Sequence, residues 1–320
     1  MGRRMGMSRP RGDRRALLAG LAAGVLGLVP GGFAASLAGA SEDPRRAETG
    51  GAPAARVVAL DGLFAETLLA IGLVPVAIAN RPLYEKLIAQ PPLPDSVLDL
   101  GPLQEPNLEF LSLIAPDLIL AAPWQAQIQV ALTRIAPVVA LPIVAGAREP
   151  IDHLDALTRD LGDRVDRAAA ARALVAGTDG ALAEARAALA GRTGRPVYIC
   201  RFRDDGRQLA VFGTRSTVGA VAQRLGLTNA WTGRQSGAGT VLAAVEDLAE
   251  VPDATLIHFD RGAETARALG RLDDSPLWRA LPAVRAGRVI RMPVVHPNGG
   301  LPSAARFARQ VAAALGKAPA

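Results

Sequence analysis

The residues best suited to chemistry in this sequence are polar side chains that follow short apolar runs. Arg201 and Arg203 alternate with Phe202 directly after the run Pro196 to Cys200. A guanidinium donates charge-assisted hydrogen bonds to oxyanions, and its planar fork binds two oxygens at once. The pair therefore indicates a place where an oxygen-rich ligand binds. The alternative is a solvated basic loop, formed with the two aspartates that follow.

Three histidines lie in different surroundings. His153 begins a helical run and is expected at the surface, whereas His258 lies inside an apolar strand, where a core histidine is the ordinary case. His296 stands between Val295 and Pro297 at the end of the last strand, so we favour it for a ligand cleft. A metal site normally gathers three or four ligands, so His296 alone predicts none.

The motifs of common enzyme classes are missing from the sequence. It contains no complete glycine-rich phosphate loop, no G-x-S-x-G elbow and no H-E-x-x-H pair. The single cysteine, Cys200, lies in an apolar run and is expected to be a small buried hydrophobe rather than a reactive thiol. We therefore expect a protein that is not an enzyme and that carries no cofactor.

The elements that must position these residues alternate between helix and strand. Both halves contain the order helix, Pro-Asp, apolar strand, at Ala115 to Leu120 and at Val251 to Ile257. Proline ends the helix, and a strand that is apolar throughout is typical of a parallel sheet covered by helices. Residues 151–192 lack any strand-like interval and predict helices, with a spine on the order of 35 Å from Val165 to Ala190. The sequence thus predicts an α/β fold with two Rossmann-like lobes, residues 56–150 and 193–320, joined by a helical segment.

Ligands of open α/β sheets bind at the carboxyl ends of the strands. We therefore expect the residues that follow the strands at Leu120, Ile199 and Met292 to converge around one opening. These candidates are Trp124, Gln125, Arg201, His296 and Asn298. Trp231 is a further aromatic candidate, whereas Trp278 is expected to be a packing residue.

The charge of the chain is concentrated at its start. Residues 1–40 carry six arginines against Asp13 alone, and the rest of the chain has 30 basic and 29 acidic residues, a net charge of +1. A nucleic-acid partner is therefore not expected. The arginines, the apolar run Ala16 to Val29 and the small residues up to Ala40 predict an export signal over residues 1–40. The pair Arg14-Arg15 favours the twin-arginine route, the general route being the alternative, and residues 41–55 read as a flexible leader.

Short motifs in a fixed order carry a family resemblance. They are Arg56 to Leu60, Leu73-Val74-Pro75, Pro91 to Val97, Glu105-Pro106-Asn107-Leu108-Glu109, Arg134 to Pro137, Val211-Phe212-Gly213, Asn229-Ala230-Trp231, Pro276-Leu277-Trp278 and Val284 to Arg288. Together they resemble the periplasmic binding proteins for iron-hydroxamate siderophores, of the ferrichrome-binding type. The resemblance covers nearly all of residues 56–315.

The resemblance implies a receptor in the periplasm whose two lobes are joined by a helical backbone. Such a receptor captures a ferric siderophore in a shallow cleft and delivers it to the permease of an inner-membrane ABC importer. The chelator supplies the oxygens around the iron, so no metal ligand is needed from the protein. We expect a monomer that moves little on binding, because a helical spine resists hinging.

The ligand contacts of the family carry over only in part. Leu103 stands where these receptors have an arginine, and Gln125, Ala238, His296 and Asn298 stand where they have cleft aromatics. Glu66 matches an acidic residue that pairs with transporter arginines, although the second lobe has Ala220 near the equivalent place. A receptor of the same architecture for haem or cobalamin, with His296 as a metal ligand, remains the alternative.

Overall fold

The first half of the chain builds a sheet whose strands are all parallel. A computed structural model describes residues 56–317, and the predicted export signal and leader lie outside them. The sheet has the order β3-β2-β1-β4-β5. Its strands are β1 (Val57–Ala59), β2 (Ala77–Ile78), β3 (Leu98–Asp99), β4 (Leu118–Ala121) and β5 (Val138–Ala140). The connecting helices are α1 (Gly62–Ala70), α2 (Arg81–Leu87), α3 (Leu108–Ile114) and α4 (Ala126–Leu132).

The Pro-Asn and Pro-Asp motifs act as the boundaries of α3. The Asn107 side chain accepts a hydrogen bond of 2.9 Å from the Phe110 amide and so caps the start of the helix. At its end Ala115 adopts a left-handed conformation, with φ of 47°, just before Pro116. The chain then enters β4, whose four residues are all buried. The sequence prediction of a helix, a proline stop and a central strand is confirmed here.

Two helices, α5 (Pro150–Arg164) and α6 (Ala168–Ala188), form the middle of the molecule. Gly162 and Gly177 lie inside these helices and do not interrupt them. The break falls at Val165–Arg167 instead, where Asp166 takes a positive φ of 53°. At 21 residues, α6 is about 30 Å long.

The second half builds a mixed sheet of order β10-β9-β6-β7-β8. Its strands are β6 (Val197–Phe202), β7 (Gln208–Phe212), β8 (Thr240–Ala244), β9 (Thr255–Asp260) and β10 (Val289–Pro293). Strand β7 is antiparallel to both β6 and β8. The prediction of a wholly parallel sheet is therefore wrong for this lobe. The connection from β6 to β7 is too short for a crossover and can only form a hairpin.

The helices of the second half are α7 (Thr217–Arg224), α8 (Ala263–Asp273), α9 (Pro276–Ala280), α10 (Pro282–Arg285) and α11 (Leu301–Lys317). Helix α11 packs along α6 and also contacts α1 of the first lobe. One apolar core consequently continues from β1 through α5, α6 and α11 into β6 and β9. The result is the predicted fold class, two α/β lobes joined through a helical middle. Among the described residues no helix is long and apolar enough to cross a membrane.

Candidate functional site

A cavity of about 200 Å³ lies between the two lobes. In the first lobe its lining follows the carboxyl ends of β1, β2, β3 and β5, through Asp61, Asn80, Leu103 and Ile143. The second lobe contributes Arg215, Thr217, Ala238, His296 and Asn298. These positions agree with the rule that ligands bind at the carboxyl ends of strands, but the first-lobe strand that the sequence singled out, β4, contributes no lining residue.

Three of the predicted site residues, Leu103, His296 and Asn298, line this cavity. The loop that carries the last two is held against α7. Thr217 Oγ1 donates to the Gly299 carbonyl at 3.0 Å, and the Val218 amide donates to the Pro297 carbonyl at 3.2 Å. His296 and Asn298 are therefore presented to the cavity by a fixed loop.

His296 is a neutral polar group of the cavity. Burial, together with repulsion from Arg201, lowers the pKa of its imidazole to about 4. The buried Nδ1 atom has no hydrogen-bond partner among the described residues. A neutral imidazole can donate a hydrogen bond from one nitrogen and accept one at the other, but it offers no positive charge to a ligand.

His153 also lines the cavity, although the sequence predicted a surface position. It is 8% exposed, and its Nε2 atom lies 2.7 Å from the Pro142 carbonyl oxygen. The prediction is wrong because His153 lies in the first turn of α5, which begins at Pro150, on the side of the helix that faces the cavity. The helical spacing of His153 with the buried residues Leu154 and Leu157 was the signal available in the sequence.

The cavity contains one carboxylate and one guanidinium among the described residues that line it, those of Asp61 and Arg215. Asp61 caps α1 by accepting a 2.9 Å hydrogen bond from the Leu63 amide. Burial raises the pKa of its carboxyl group. Most other lining residues, such as Leu83, Ile88 and Leu154, are aliphatic. The cavity therefore suits a ligand with much apolar surface and little net charge.

Gln125 supports the cavity from behind instead of lining it. The residue is only 3% exposed. Its Nε2 atom donates to the carbonyl groups of Leu60 at 3.2 Å and of Leu103 at 3.1 Å. Its Oε1 atom accepts from the Ala122 amide at 2.9 Å. These three bonds tie the end of β1 to the Leu103 loop. The expectation that Gln125 contacts the ligand is corrected to a positioning role, because every donor and acceptor of the side chain faces the backbone.

The two tryptophans proposed for the site lie outside its lining. Trp124 is 46% exposed in a short 3-10 turn, Pro123–Gln125, beside the Leu103 loop. Trp231 lines a separate groove with Asn229 and Gln235, and its indole donates to the Arg234 carbonyl at 3.3 Å. The predicted convergence with His296 and Asn298 therefore does not include either tryptophan, and the aromatic ring in the lining is that of Tyr84.

Arg201 is the remaining candidate that the structure does not place in the cavity lining. It is partly buried on β6, close to the charges of Arg261 and Glu264. Burial and the neighbouring Arg261 lower the pKa of its guanidinium. The prediction took Arg201 as a residue that follows the strand at Ile199. β6 extends through Phe202, so Arg201 is part of the strand, and the arginine that lines the cavity is Arg215, in the turn between β7 and α7.

Glu66 was predicted to be an exposed docking residue, and this is wrong. Its side chain is 0% exposed. The carboxylate accepts hydrogen bonds from the Gly300 amide at 2.8 Å and from the Ser303 hydroxyl at 2.6 Å. Burial raises its pKa to about 7. Glu66 therefore links α1 to the start of α11 and cannot pair with a partner's arginine in this structure.

The sequence matches the periplasmic binding protein family over residues 57–295. The iron(3+)-hydroxamate-binding protein FhuD of Escherichia coli is 31% identical over 261 residues, which cover 82% of this chain and 87% of that protein. The crystal structure of FhuD from Vibrio cholerae with bound Fe³⁺-Desferal superposes with a TM-score of 0.76 at 30% identity, covering 82% of this chain and 99% of that one. The petrobactin-binding protein YclQ of Bacillus subtilis shares the fold at 18% identity, with a TM-score of 0.66 and coverage of 83% and 93%. The chain therefore belongs to the periplasmic binding protein family.

Proposed function

We propose that this protein captures a ferric siderophore of the hydroxamate type and delivers it to the permease of an ABC importer for iron uptake. The observation that carries the proposal is the cavity between the lobes, in a chain 31% identical to an iron-hydroxamate-binding protein. The cavity takes its lining from both lobes, so a bound chelate would contact the two halves at once. The siderophore is cargo and the iron remains in its chelator.

The charge of the cavity favours hydroxamates over catecholates. The iron core of a ferric tris-hydroxamate is neutral, because three singly charged hydroxamates balance Fe³⁺, whereas the core of a ferric tris-catecholate carries a multiple negative charge. The described lining holds one arginine balanced by one aspartate. Burying a highly charged anion there would leave most of its charge unpaired, at a large desolvation cost. A neutral chelate with aliphatic arms matches the lining better.

The haem or cobalamin alternative finds no support in the relatives compared. A neutral imidazole such as His296 can ligate a metal, and haem or cobalamin would bring its own, so this residue does not distinguish the two ligand classes. The relatives compared, an iron(3+)-hydroxamate-binding protein and a siderophore-binding protein with Fe³⁺-Desferal, favour the siderophore. We therefore assign His296 to hydrogen bonding with the organic part of the chelate.

The proposal places the protein in the periplasm as a monomeric carrier that performs no catalysis. Export through residues 1–40 is part of it, with the mature chain starting at Ser41. Protein recovered from the periplasm should then have the intact mass of residues 41–320. A mass that still includes Met1 would contradict export by this signal.

A titration of the mature protein tests the ligand class. Ferrichrome, ferric Desferal, a ferric catecholate, haem and cobalamin are added separately while binding is measured by calorimetry. We expect saturable binding of the two hydroxamates at equal stoichiometry and weaker or absent binding of the others. Iron-free Desferal is the matched control for the chelate. Tight binding of haem with a shifted Soret band, and none of the hydroxamates, would refute the proposal.

A further inference from the structure

The one basic side chain of the described cavity lining is not among the residues that the family resemblance singles out. We infer that Arg215 donates hydrogen bonds to the metal-bound oxygens of the ferric chelate, in place of the arginine that the family carries at the position of Leu103. The inference rests on the proposed function and deepens it. It names the residue that orients the chelate in this cavity.

The carboxylate and the two imidazoles of the described lining are weaker partners for chelate oxygens than a guanidinium. The Asp61 carboxylate would repel them and is already directed at the Leu63 amide, 2.9 Å away. His153 is bonded to the Pro142 carbonyl, and His296 is neutral. A guanidinium forms charge-assisted bonds about twice as strong as neutral ones and can bind two oxygens in parallel. Arg215 is the group of the described lining that offers this chemistry.

The backbone around Arg215 is fixed in advance. The Gly213 amide donates to the Gly239 carbonyl at 2.8 Å, and the Arg215 amide donates to Gln235 Oε1 at 3.3 Å. Ser216 caps α7 through its hydroxyl, which accepts from the Gly219 amide at 3.0 Å. Gly239 has a φ of +70°, and a Cβ atom there would lie 2.0 Å from the Ser216 nitrogen. This close approach locks the turn, so little order has to be created when the ligand binds.

The side chain of Arg215 keeps most of its donors available. The residue is exposed. Among the described residues, its guanidinium donates one hydrogen bond, from Nη2 to the Gly146 carbonyl at 3.1 Å. Gly146 lies in the loop of the first lobe that also supplies Val144 and Ala145 to the cavity. The guanidinium thus reaches across the cleft and has further N–H groups free for a chelate.

Calorimetric titration of the mature protein with ferric Desferal and ferrichrome tests the inference. We expect Arg215→Ala to weaken both ligands by about ten- to a hundred-fold. Arg215→Lys keeps the charge but loses the planar fork, so its affinity should lie between those of Arg215→Ala and the wild type. The matched control is Arg234→Ala, which removes an exposed guanidinium from the neighbouring loop outside the lining. It should stay within about two-fold of the wild type.

A double variant separates a ligand contact from a contact that only holds the lobes together. Leu103→Arg in the Arg215→Ala background supplies a guanidinium from the other wall and should recover at least part of the affinity. Failure to recover any would assign Arg215 to holding the Gly146 loop and overturn the inference. Unchanged affinity in Arg215→Ala, or a loss seen in Arg201→Ala instead, would overturn it as well. If the wild type binds neither hydroxamate, the proposed function itself is refuted. If the wild type binds them and Arg215→Ala binds them equally well, only the inference about Arg215 is refuted.

Discussion

The role of a polar residue at this cavity depends on whether its side-chain atoms face the cavity or the protein backbone. Gln125 and Arg215 were both reachable from the sequence as polar residues after strands. Gln125 uses both of its N–H donors on the Leu60 and Leu103 carbonyl groups, and its oxygen accepts from the Ala122 amide. Arg215 donates one hydrogen bond from Nη2 to the Gly146 carbonyl, and its other N–H groups remain available to a ligand. Residue type and position do not distinguish the two cases, but the orientation of the side chain does.

Replacing Gln125 should damage the fold and the cavity together. Gln125→Ala leaves two carbonyl groups and one amide without their partner, which should lower the free energy of unfolding by about 2–4 kcal/mol. Affinity for ferric Desferal should fall as well, because the Leu103 loop loses its tie to β1. Gln127→Ala removes an exposed amide from α4, which follows directly, and serves as the control. Urea unfolding and calorimetry measure both effects. Equal stability of the two variants would show that the three bonds contribute nothing.

At the scale of elements, the sequence predicted most of what short-range chemistry determines. Prolines and capping residues marked α3 and β4, and the parallel first sheet followed from its apolar strands. The direction of β7 was missed because the apolar pattern was read alone, although the short connection from β6 allows only a hairpin. Arg201 was chosen because the strand was expected to end at Ile199, whereas β6 extends through Phe202 and keeps Arg201 within the sheet. In the first lobe the sequence identified Leu103, but it missed His153 and singled out the end of β4, which does not line the cavity. In the second lobe it identified His296 and Asn298 but missed Arg215.

The link between α1 and α11 depends on one buried acid. Glu66 lies near Tyr84 and Arg306. Burial raises the pKa of its carboxyl group, and the hydrogen bonds from Ser303 and Gly300 together with the charge of Arg306 offset only part of that rise. With a pKa raised from 4.5 to about 7, the carboxyl group binds its proton more tightly in the folded state than in the unfolded chain. Its contribution to stability is present below pH 4.5 and is lost as the pH rises through about 7.

Glu66→Gln should remove this pH dependence. The amide keeps the shape of the acid, can accept from the Gly300 amide and can donate to Ser303. We expect the variant to gain up to about 3 kcal/mol on the wild type between pH 4.5 and pH 8, and nothing below pH 4.5. Chemical unfolding at a series of pH values measures the difference. Parallel curves for the two proteins would mean that Glu66 titrates normally.

On the scale of the whole molecule, several contacts bind the lobes to one another around the cavity. Arg306 donates to the Ile88 carbonyl at 2.7 Å, and Lys86 of α2 pairs with Glu264 of α8. Arg224 of α7 pairs with Glu149, which caps α5, at 2.7 Å. The exposed pairs contribute little stability individually. The continuous core through α5, α6 and α11 is what makes a large hinge motion costly.

Ligand binding should therefore change the shape of the molecule only slightly. We expect the radius of gyration of the mature protein, measured by small-angle X-ray scattering, to differ by less than about 1 Å with and without ferric Desferal. The helix α6 contains exposed Gly177 and Gly180, with open space where a Cβ atom would stand. Changing both to alanine stiffens the spine without a clash. If the lobes bound their ligand by bending the spine, the stiffened variant would lose affinity and the wild type would contract by several ångströms. Unchanged affinity and superimposable scattering curves are the outcome that a preformed cleft requires.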